Sequence, residues 1–133
     1  MFAAAKKLDN LIAFTDYNKL QIDGTVEEVN GIAPLADKWK AFGWRVVEVE
    51  DGNDVLEVQR KVRWARKHAL DGKPTMVILN TKKGCGVTFV EDMGPGNHNT
   101  PFSKEDAKRA LTELLGREAT DEDLEIGGES EWS

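Results

Sequence analysis

Polar residues follow directly after a short apolar run near the start of the chain. The run is Leu11 to Phe14, and the segment Asp16 to Gly24 behind it reads DYNKLQIDG. If the run is a strand of a parallel sheet, this segment lies at its carboxyl end, where such sheets bind ligands. Asn and Asp there offer the hard oxygen ligands that Mg²⁺ or Ca²⁺ takes. An ordinary turn explains the same residues, and residue types alone favour the turn.

A glycine-rich segment and a loop histidine are further candidates for chemistry. Thr81 to Val87 reads TKKGCGV and follows the apolar run Thr75 to Leu79. Its glycines permit close approach of the backbone to a ligand, and a plain turn after a strand accounts for them equally well. His98 lies in GNHNTP. Without further context, a loop histidine is more often a surface group than a ligand-binding one.

Two other reactive residue types have simpler interpretations. Cys85 is the only cysteine, which excludes an internal disulfide and favours a reducing compartment. We interpret it as a plain thiol rather than a nucleophile, because nothing marks it as activated. His68 falls late in a predicted helix, where an exposed imidazole is compatible with the helix dipole.

The composition limits the class of protein. The 133 residues, 40% of them hydrophobic, suffice for one core, and their net charge of −6 argues against nucleic acid or an anionic membrane as the main partner. No run approaches the roughly 20 apolar residues of a membrane span, so we expect a soluble, cytoplasmic protein. The acidity is concentrated from Glu118 onward, where no Lys or Arg occurs. We therefore divide the chain into a domain over 1–117 and an acidic, loosely held tail over 118–133, with Leu124, Ile126 and Trp132 as candidate anchors.

Alternating strands and helices must position these residues. Strands are predicted at Leu11 to Phe14, Arg45 to Val49 and Thr75 to Leu79. The first and third are nearly continuous in apolar residues, as in strands covered on both faces. Helices are predicted at Pro34 to Phe42, Asp54 to Ala69 and Ser103 to Gly116. Asp51, Asn53 or Asp54 could cap the second, and Ser103 with Asp106 forms a capping signal for the third. This order predicts an α/β fold, a parallel sheet with flanking helices.

The predicted sheet is small for a parallel sheet. The opening MFAAAKK reads as a helix that feeds the first strand directly. Three parallel strands leave edges and faces that normally need further cover. We expect these strands to be part of a larger sheet.

Four blocks of sequence resemble the cofactor-binding region of transketolases. They are KLDNLIAFTDYNKLQIDGTVEEV, PLADKWKAFGWRVVEVEDGND, KPTMVILNTKKGCGV and HNTPFSKEDAKRAL, and they cover about residues 1 to 115 without a long gap. The IDG ending of the first block is rare in related enzymes that share the cofactor. The resemblance implies the C-terminal half of a diphosphate-binding domain, with a partial thiamine-diphosphate-binding fold.

This resemblance implies roles for five residues. Asn18 matches the asparagine whose side chain holds a divalent metal, and Leu20 matches a backbone carbonyl that adds another ligand to Mg²⁺ (or Ca²⁺). Lys83 and Gly84 match the loop beside the cofactor, with Lys83 where Ile or Val often flanks the thiazolium ring. His98 matches a histidine that approaches the cofactor diphosphate and the sugar substrate, which makes it the candidate catalytic residue.

The resemblance also indicates what the chain lacks. The family motif begins with Gly-Asp-Gly, which these 133 residues do not contain. Without the Asp carboxylate of that motif, the Asn18 side chain and one backbone carbonyl are a poor set of ligands for Mg²⁺. We therefore expect two partners: the N-terminal half of the domain, and a pyrimidine-binding transketolase chain whose Glu activates the cofactor. Alone, the chain is expected to self-associate through its uncovered apolar surface.

The implied activity is transfer of two-carbon ketol units between ketose and aldose phosphates. The chain is then a fragment or subunit of a transketolase of the pentose phosphate pathway, inactive alone. Two alternatives stay open. One is a non-catalytic truncated or assembly module, and the other is a related thiamine-diphosphate enzyme such as a dihydroxyacetone synthase.

Overall fold

Residues 1–125 are described by this computed structural model of the chain. They fall into two compact units that divide between Lys83 and Gly84. The elements of the first unit are α1 (Phe2–Ala5), β1 (Ile12–Asp16), β2 (Leu20–Gln21), β3 (Gly24–Thr25), α2 (Val26–Asn30), α3 (Leu35–Ala41), β4 (Arg45–Val49), α4 (Val55–Lys67) and β5 (Thr75–Leu79). The second unit contains α5 (Thr88–Glu91), a 3-10 helix (Gly94–Asn97), α6 (Lys104–Leu115) and α7 (Asp121–Glu125).

A three-stranded parallel sheet forms the centre of the first unit, in the order β1-β5-β4. The central strand β5 places Thr75 opposite both Ile12 and Arg45. Its residues Met76, Val77 and Ile78 are 2% exposed or less. This is the burial that a continuous apolar run predicts for a strand covered on both faces. The α/β class and the predicted bounds of β4 and β5 are confirmed.

The prediction for β1 was partly wrong. The strand runs from Ile12 to Asp16 rather than from Leu11 to Phe14, because its pairing with β5 continues until Asp16 lies opposite Leu79. It is not covered on both faces, since Phe14 is 50% exposed. Among residues 1–125, no strand pairs with the outer edge of β1. An apolar run therefore identified this strand but not its position at the sheet edge.

Each face of the sheet has its own apolar cluster. On one face Trp44, Met76 and Ile78 are buried, with residues of α1 and α3 packed against them. The rings of Trp39 and Trp44 meet edge to face there, with centroids 5.0 Å apart. On the other face Val47, Val49 and Val77 pack with residues of α4, including Ala65. Helices on both faces are the arrangement expected for a parallel sheet.

The helix ends follow the predicted signals. Asp54 caps α4 by accepting a hydrogen bond from the Leu56 amide at 2.8 Å. Ser103 and Asp106 form a reciprocal capping box at the start of α6, and Gly116 ends that helix in the left-handed region at φ 63°. These local predictions are confirmed, because capping depends on residues within one turn of each other.

The second unit has few buried apolar side chains. Val87 and Ala119 are the buried hydrophobic residues among those described. Within the segment predicted to be an acidic tail, α7 forms, and Asp123 accepts a hydrogen bond from the Arg117 guanidinium at 2.8 Å. Lys108 Nζ lies 2.8 Å from Asp121 Oδ1. The acidic segment finds basic partners upstream, which its own composition did not reveal, and Ile126 and Trp132 lie outside the described residues.

Candidate functional site

The turn after β1 brings Asn18 and Leu20 together. The Asn18 side-chain oxygen Oδ1 accepts a hydrogen bond from the Leu20 amide at 2.9 Å. This is the turn that Asn forms with the backbone two residues on. Leu20 then enters the short hairpin of β2 and β3, where it pairs with Thr25. The turn thus fixes the side chain of Asn18 beside the backbone of Leu20.

Lys19, between them, adopts a left-handed backbone conformation at φ 66°. Its Nζ lies 3.1 Å from the centroid of the Tyr17 ring and donates to Asn80 Oδ1 at 2.9 Å. Burial lowers the pKa of Lys19, and the nearby carboxylates of Glu48 and Glu27 oppose that shift. A cation is therefore held over an aromatic face next to the candidate metal ligands.

Asn80 connects the ends of the strands. It directly follows β5, and both its amide and its side-chain Nδ2 donate to the Val49 carbonyl at the end of β4, at 3.2 and 2.9 Å. Its own carbonyl accepts from the Gly52 amide at 2.8 Å. With Lys19 bonded to its Oδ1, Asn80 joins the carboxyl ends of β4 and β5 to the turn after β1.

Two further links bring the loops of this edge together. Thr81 Oγ1 donates a hydrogen bond to the carboxylate of Asp16, the last residue of β1. Gly52 passes close to the chain after β5, where an added Cβ would meet Thr81 Cγ2 at 2.7 Å. The side-chain oxygen of Asn53 accepts from the Lys82 amide at 2.7 Å. The loops after β1, β4 and β5 therefore form one polar cluster at the carboxyl edge of the sheet.

The glycine-rich loop spans the division between the units. Lys83 is the last residue of the first unit and is half-buried. Gly84 begins the second unit at φ 78°, and a Cβ there would lie 2.7 Å from Val90 Cγ1. Glycine is therefore required by the packing of the second unit itself. Cys85 next to it is exposed.

His98 lies in the second unit, directly after the 3-10 helix. Its amide donates to the Pro95 carbonyl at 3.3 Å, and the residue is exposed. No hydrogen bond to its imidazole is found within residues 1–125. The structure thus brings Asn18 and Leu20 together in one unit and leaves His98 on the other, with its ring available.

The oxygens of the turn have the right chemistry for a metal but not the right charge. A carboxamide oxygen has two lone pairs, so Asn18 Oδ1 can accept from Leu20 and keep one for a cation. Within the described part of the chain, no group of three His, Cys, Asp or Glu side chains could hold a metal ion. Two neutral oxygens fall short of the carboxylates and phosphates that Mg²⁺ uses. These residues therefore fit as contributors to a metal site and do not complete one.

Comparison with known proteins gives this edge a context. The family model described as "Transketolase, thiamine diphosphate binding domain" matches residues 1–128. The chain belongs to this family. The resemblance to transketolases read from the sequence is thereby confirmed, and the family's cofactor is thiamine diphosphate.

Relatives within the family are longer than this chain. The 6-deoxy-6-sulfo-D-fructose transketolase subunit SqwG of Clostridium sp. (strain MSTE9) is 47% identical over 114 residues, which cover 86% of this chain and 40% of that protein. An apulose-4-phosphate transketolase subunit from Phocaeicola vulgatus is 38% identical over 113 residues, with 82% and 38% covered. The chain thus spans about two fifths of these relatives.

The fold agrees with solved transketolases. The transketolase from Leishmania mexicana superposes with a TM-score of 0.75 at 25% identity, over 94% of this chain and 19% of that one. A Pichia stipitis transketolase mutant, R525L, gives a TM-score of 0.69 at 28% identity over the same shares. In residues 1–125 no helix is long and apolar enough to cross a membrane.

Sequence reasoning placed the Asp16 to Gly24 segment at this edge, but it missed Asn80 and did not identify Lys19 as the residue that bonds to it. One available signal was position, because Asn80 follows a buried strand directly, as the Asp16 to Gly24 segment does. Lys19 gave no such signal, since its partner Asn80 lies 61 residues away in the sequence.

Proposed function

We propose that this chain forms one part of the thiamine-diphosphate site of a transketolase, which moves two-carbon ketol units between ketose and aldose phosphates. The observation that carries the proposal is the family match over residues 1–128. The turn of Asn18 and Leu20 supports it, since ligands of parallel sheets bind at this edge. Bound thiamine diphosphate supplies the carbanion chemistry, and the protein orients the reactants.

Each candidate residue has a separate task in this proposal. Asn18 Oδ1 and the Leu20 carbonyl would hold Mg²⁺ (or Ca²⁺), the ion through which the diphosphate would be bound. Lys83 and Gly84 form the loop beside the cofactor. His98 donates a hydrogen bond to the diphosphate or the sugar and exchanges a proton there, for which its exposed imidazole is suited.

Groups outside these residues must complete this site. The turn offers two neutral oxygens, so the missing carboxylate comes from the N-terminal half of the domain. A pyrimidine-binding transketolase chain activates the cofactor, and the relatives named as transketolase subunits support a partner of this kind. Alone, the chain is inactive and self-associates through apolar surface such as the half-exposed Phe14 at the sheet edge.

The substrates are sugars that carry an anionic group. The names of two relatives refer to a sulfonated fructose and to apulose-4-phosphate, one sugar with a sulfonate and one with a phosphate. These names support sugar phosphates or close analogues as donors. We place the reaction in the cytoplasm, in the pentose phosphate pathway or a parallel route for such sugars.

The substitution Asn18→Ala tests the assignment of the metal ligand. In an enzyme reconstituted with the missing half and a pyrimidine-binding partner, we expect Mg²⁺-dependent affinity for thiamine diphosphate to fall at least about tenfold. Asn10→Ala is the matched control, because Asn10 is exposed and precedes the same strand at its other end. Titration calorimetry measures the cofactor affinity of both variants. Equal affinity of Asn18→Ala and wild type would refute the ligand role.

A further inference from the structure

We propose that Lys19 is a positioning residue, which fixes the Asn18–Leu20 turn to the end of the central strand β5 through its hydrogen bond with Asn80. The significance of that turn for cofactor binding rests on the proposed function. The mechanical link itself does not, because it is carried by contacts within the first unit.

The backbone of Lys19 needs a compensating interaction. Its φ of 66° lies in the left-handed region, which is unfavourable for a residue with a Cβ. Glycine or asparagine normally takes such a position. In this conformation the Lys19 carbonyl accepts from the Val26 amide at 2.8 Å, which ties the turn to the start of α2. The strained conformation is therefore part of how the hairpin is held.

The side chain of Lys19 supplies the link to the sheet. Nζ donates to Asn80 Oδ1 at 2.9 Å while it lies over the Tyr17 ring, 3.1 Å from the centroid. Tyr17 is itself attached to the central strand, because its amide donates to the Leu79 carbonyl at 2.8 Å. The ammonium group thus joins two residues that are already fixed to β5.

Asn80 is a firm anchor for this link. Its Nδ2 and its amide both donate to the Val49 carbonyl, and Val49 is fully buried. Oδ1 is therefore oriented toward Lys19 by the bond that Nδ2 makes. By contrast, the bond from the Leu20 amide to Asn18 joins residues only two apart. That bond shapes the turn, whereas the Lys19 bond ties the middle of the turn to the sheet.

Amide hydrogen exchange on the chain alone tests the link without cofactor or metal. In Lys19→Met, which keeps the alkyl stem, we expect the Leu20 and Val26 amides to exchange about tenfold faster, as loss of a hydrogen bond to a charged group implies. The Thr75 amide, which donates to Leu11 in the sheet, should not change. Lys19→Arg should restore protection to within about twofold, because a guanidinium can still donate to Asn80 Oδ1.

A glycine variant separates the link from the strain. Lys19→Gly relieves the left-handed backbone but removes the anchor, so we still expect about tenfold faster exchange at Leu20. Wild-type protection in Lys19→Met or in Lys19→Gly would overturn the proposal.

Cofactor titration in the reconstituted enzyme separates this inference from the proposed function. Lys19→Met should weaken Mg²⁺-dependent binding of thiamine diphosphate, and Lys19→Arg should restore it. If Asn18→Ala weakens binding while Lys19→Met does not, the positioning role is refuted and the proposed function stands. If Asn18→Ala has no effect on cofactor affinity, the proposed function fails. The amide exchange rates then decide by themselves whether Lys19 positions the turn.

Discussion

The two units of this chain are stabilised in different ways. The first buries an apolar cluster on each face of its sheet, and Val49, Ala65 and Val77 in one of them are fully shielded from solvent. The second, among its described residues, buries Val87 and Ala119 and relies on a capping box and charged pairs. The candidate metal ligands therefore stand on a sheet held by apolar burial, while His98 stands on a unit held mainly by polar contacts. We expect the two units to respond differently to core truncation, cap removal and acid.

The largest expected effect is loss of a core side chain in the first unit. Ile78→Ala removes a residue that is 2% exposed in the central strand. We expect the free energy of unfolding to fall by about 2–5 kcal/mol. Urea unfolding followed by tryptophan fluorescence measures it, because Trp39, Trp44 and Trp64 all lie in this unit.

Ile22→Ala is the matched control for that experiment. Ile22 is 67% exposed in the hairpin turn, so its truncation should cost only a few tenths of a kcal/mol. Similar losses for the two variants would show that burial in the sheet does not dominate the stability of the first unit.

A smaller effect is expected when the cap of α6 is removed. Ser103 accepts from the Asp106 amide at 3.0 Å, and Asp106 accepts from the Ser103 amide at 3.1 Å. Ser103→Ala should destabilise this helix by about 1 kcal/mol. Amide exchange in α6 measures the loss, and Thr75 in the first unit should keep its protection. Exposed Glu105→Ala, beside the cap, should cost less, and equal costs would refute the capping role.

The smallest expected effect concerns Asp123, whose contribution to stability is lost in acid. Hydrogen bonds from Arg117, and then from Thr120, hold the pKa of Asp123 well below its ordinary value. Because the folded pKa lies below the unfolded one, the stabilisation is complete above an unfolded pKa of about 3.9 and is lost as the pH falls below it. The Thr120 amide, which donates to Asp123 at 2.8 Å, should lose protection over that range.

The substitution Asp123→Asn checks this acid response. We expect it to remove the pH dependence of hydrogen exchange at the Thr120 amide below about pH 4, because the carboxamide that replaces the carboxylate does not titrate there. An acid profile that matches the wild type would show that another group controls α7.

Features that depend on residues close together in the sequence could be predicted, and features that depend on distant residues could not. The bounds of β4 and β5 and the capping of α6 were predicted because apolar runs and caps depend on near neighbours. The exposed side of β1 was not, since strand order depends on which strand pairs with which. Among the candidate site residues, the Asn18 turn follows from residues two apart, and the bond of Lys19 to Asn80 joins residues 61 apart.

The family resemblance predicted roles for residues that residue patterns alone did not predict. Residue types alone favoured an ordinary turn at Asn18, and the structure does show one, with an oxygen lone pair left over. The metal role of Asn18 and the catalytic role of His98 remain predictions from the resemblance.

The most direct test of the central claim is calorimetric titration of thiamine diphosphate with Mg²⁺. It is done first into this chain alone, and then into the chain mixed with the missing half of the domain and a pyrimidine-binding partner. Because the turn supplies two neutral oxygens without a carboxylate, we predict no measurable binding to the chain alone and binding to the mixture. Binding by the chain alone, or no binding in the mixture, would contradict the claim that this chain contributes one part of a shared cofactor site.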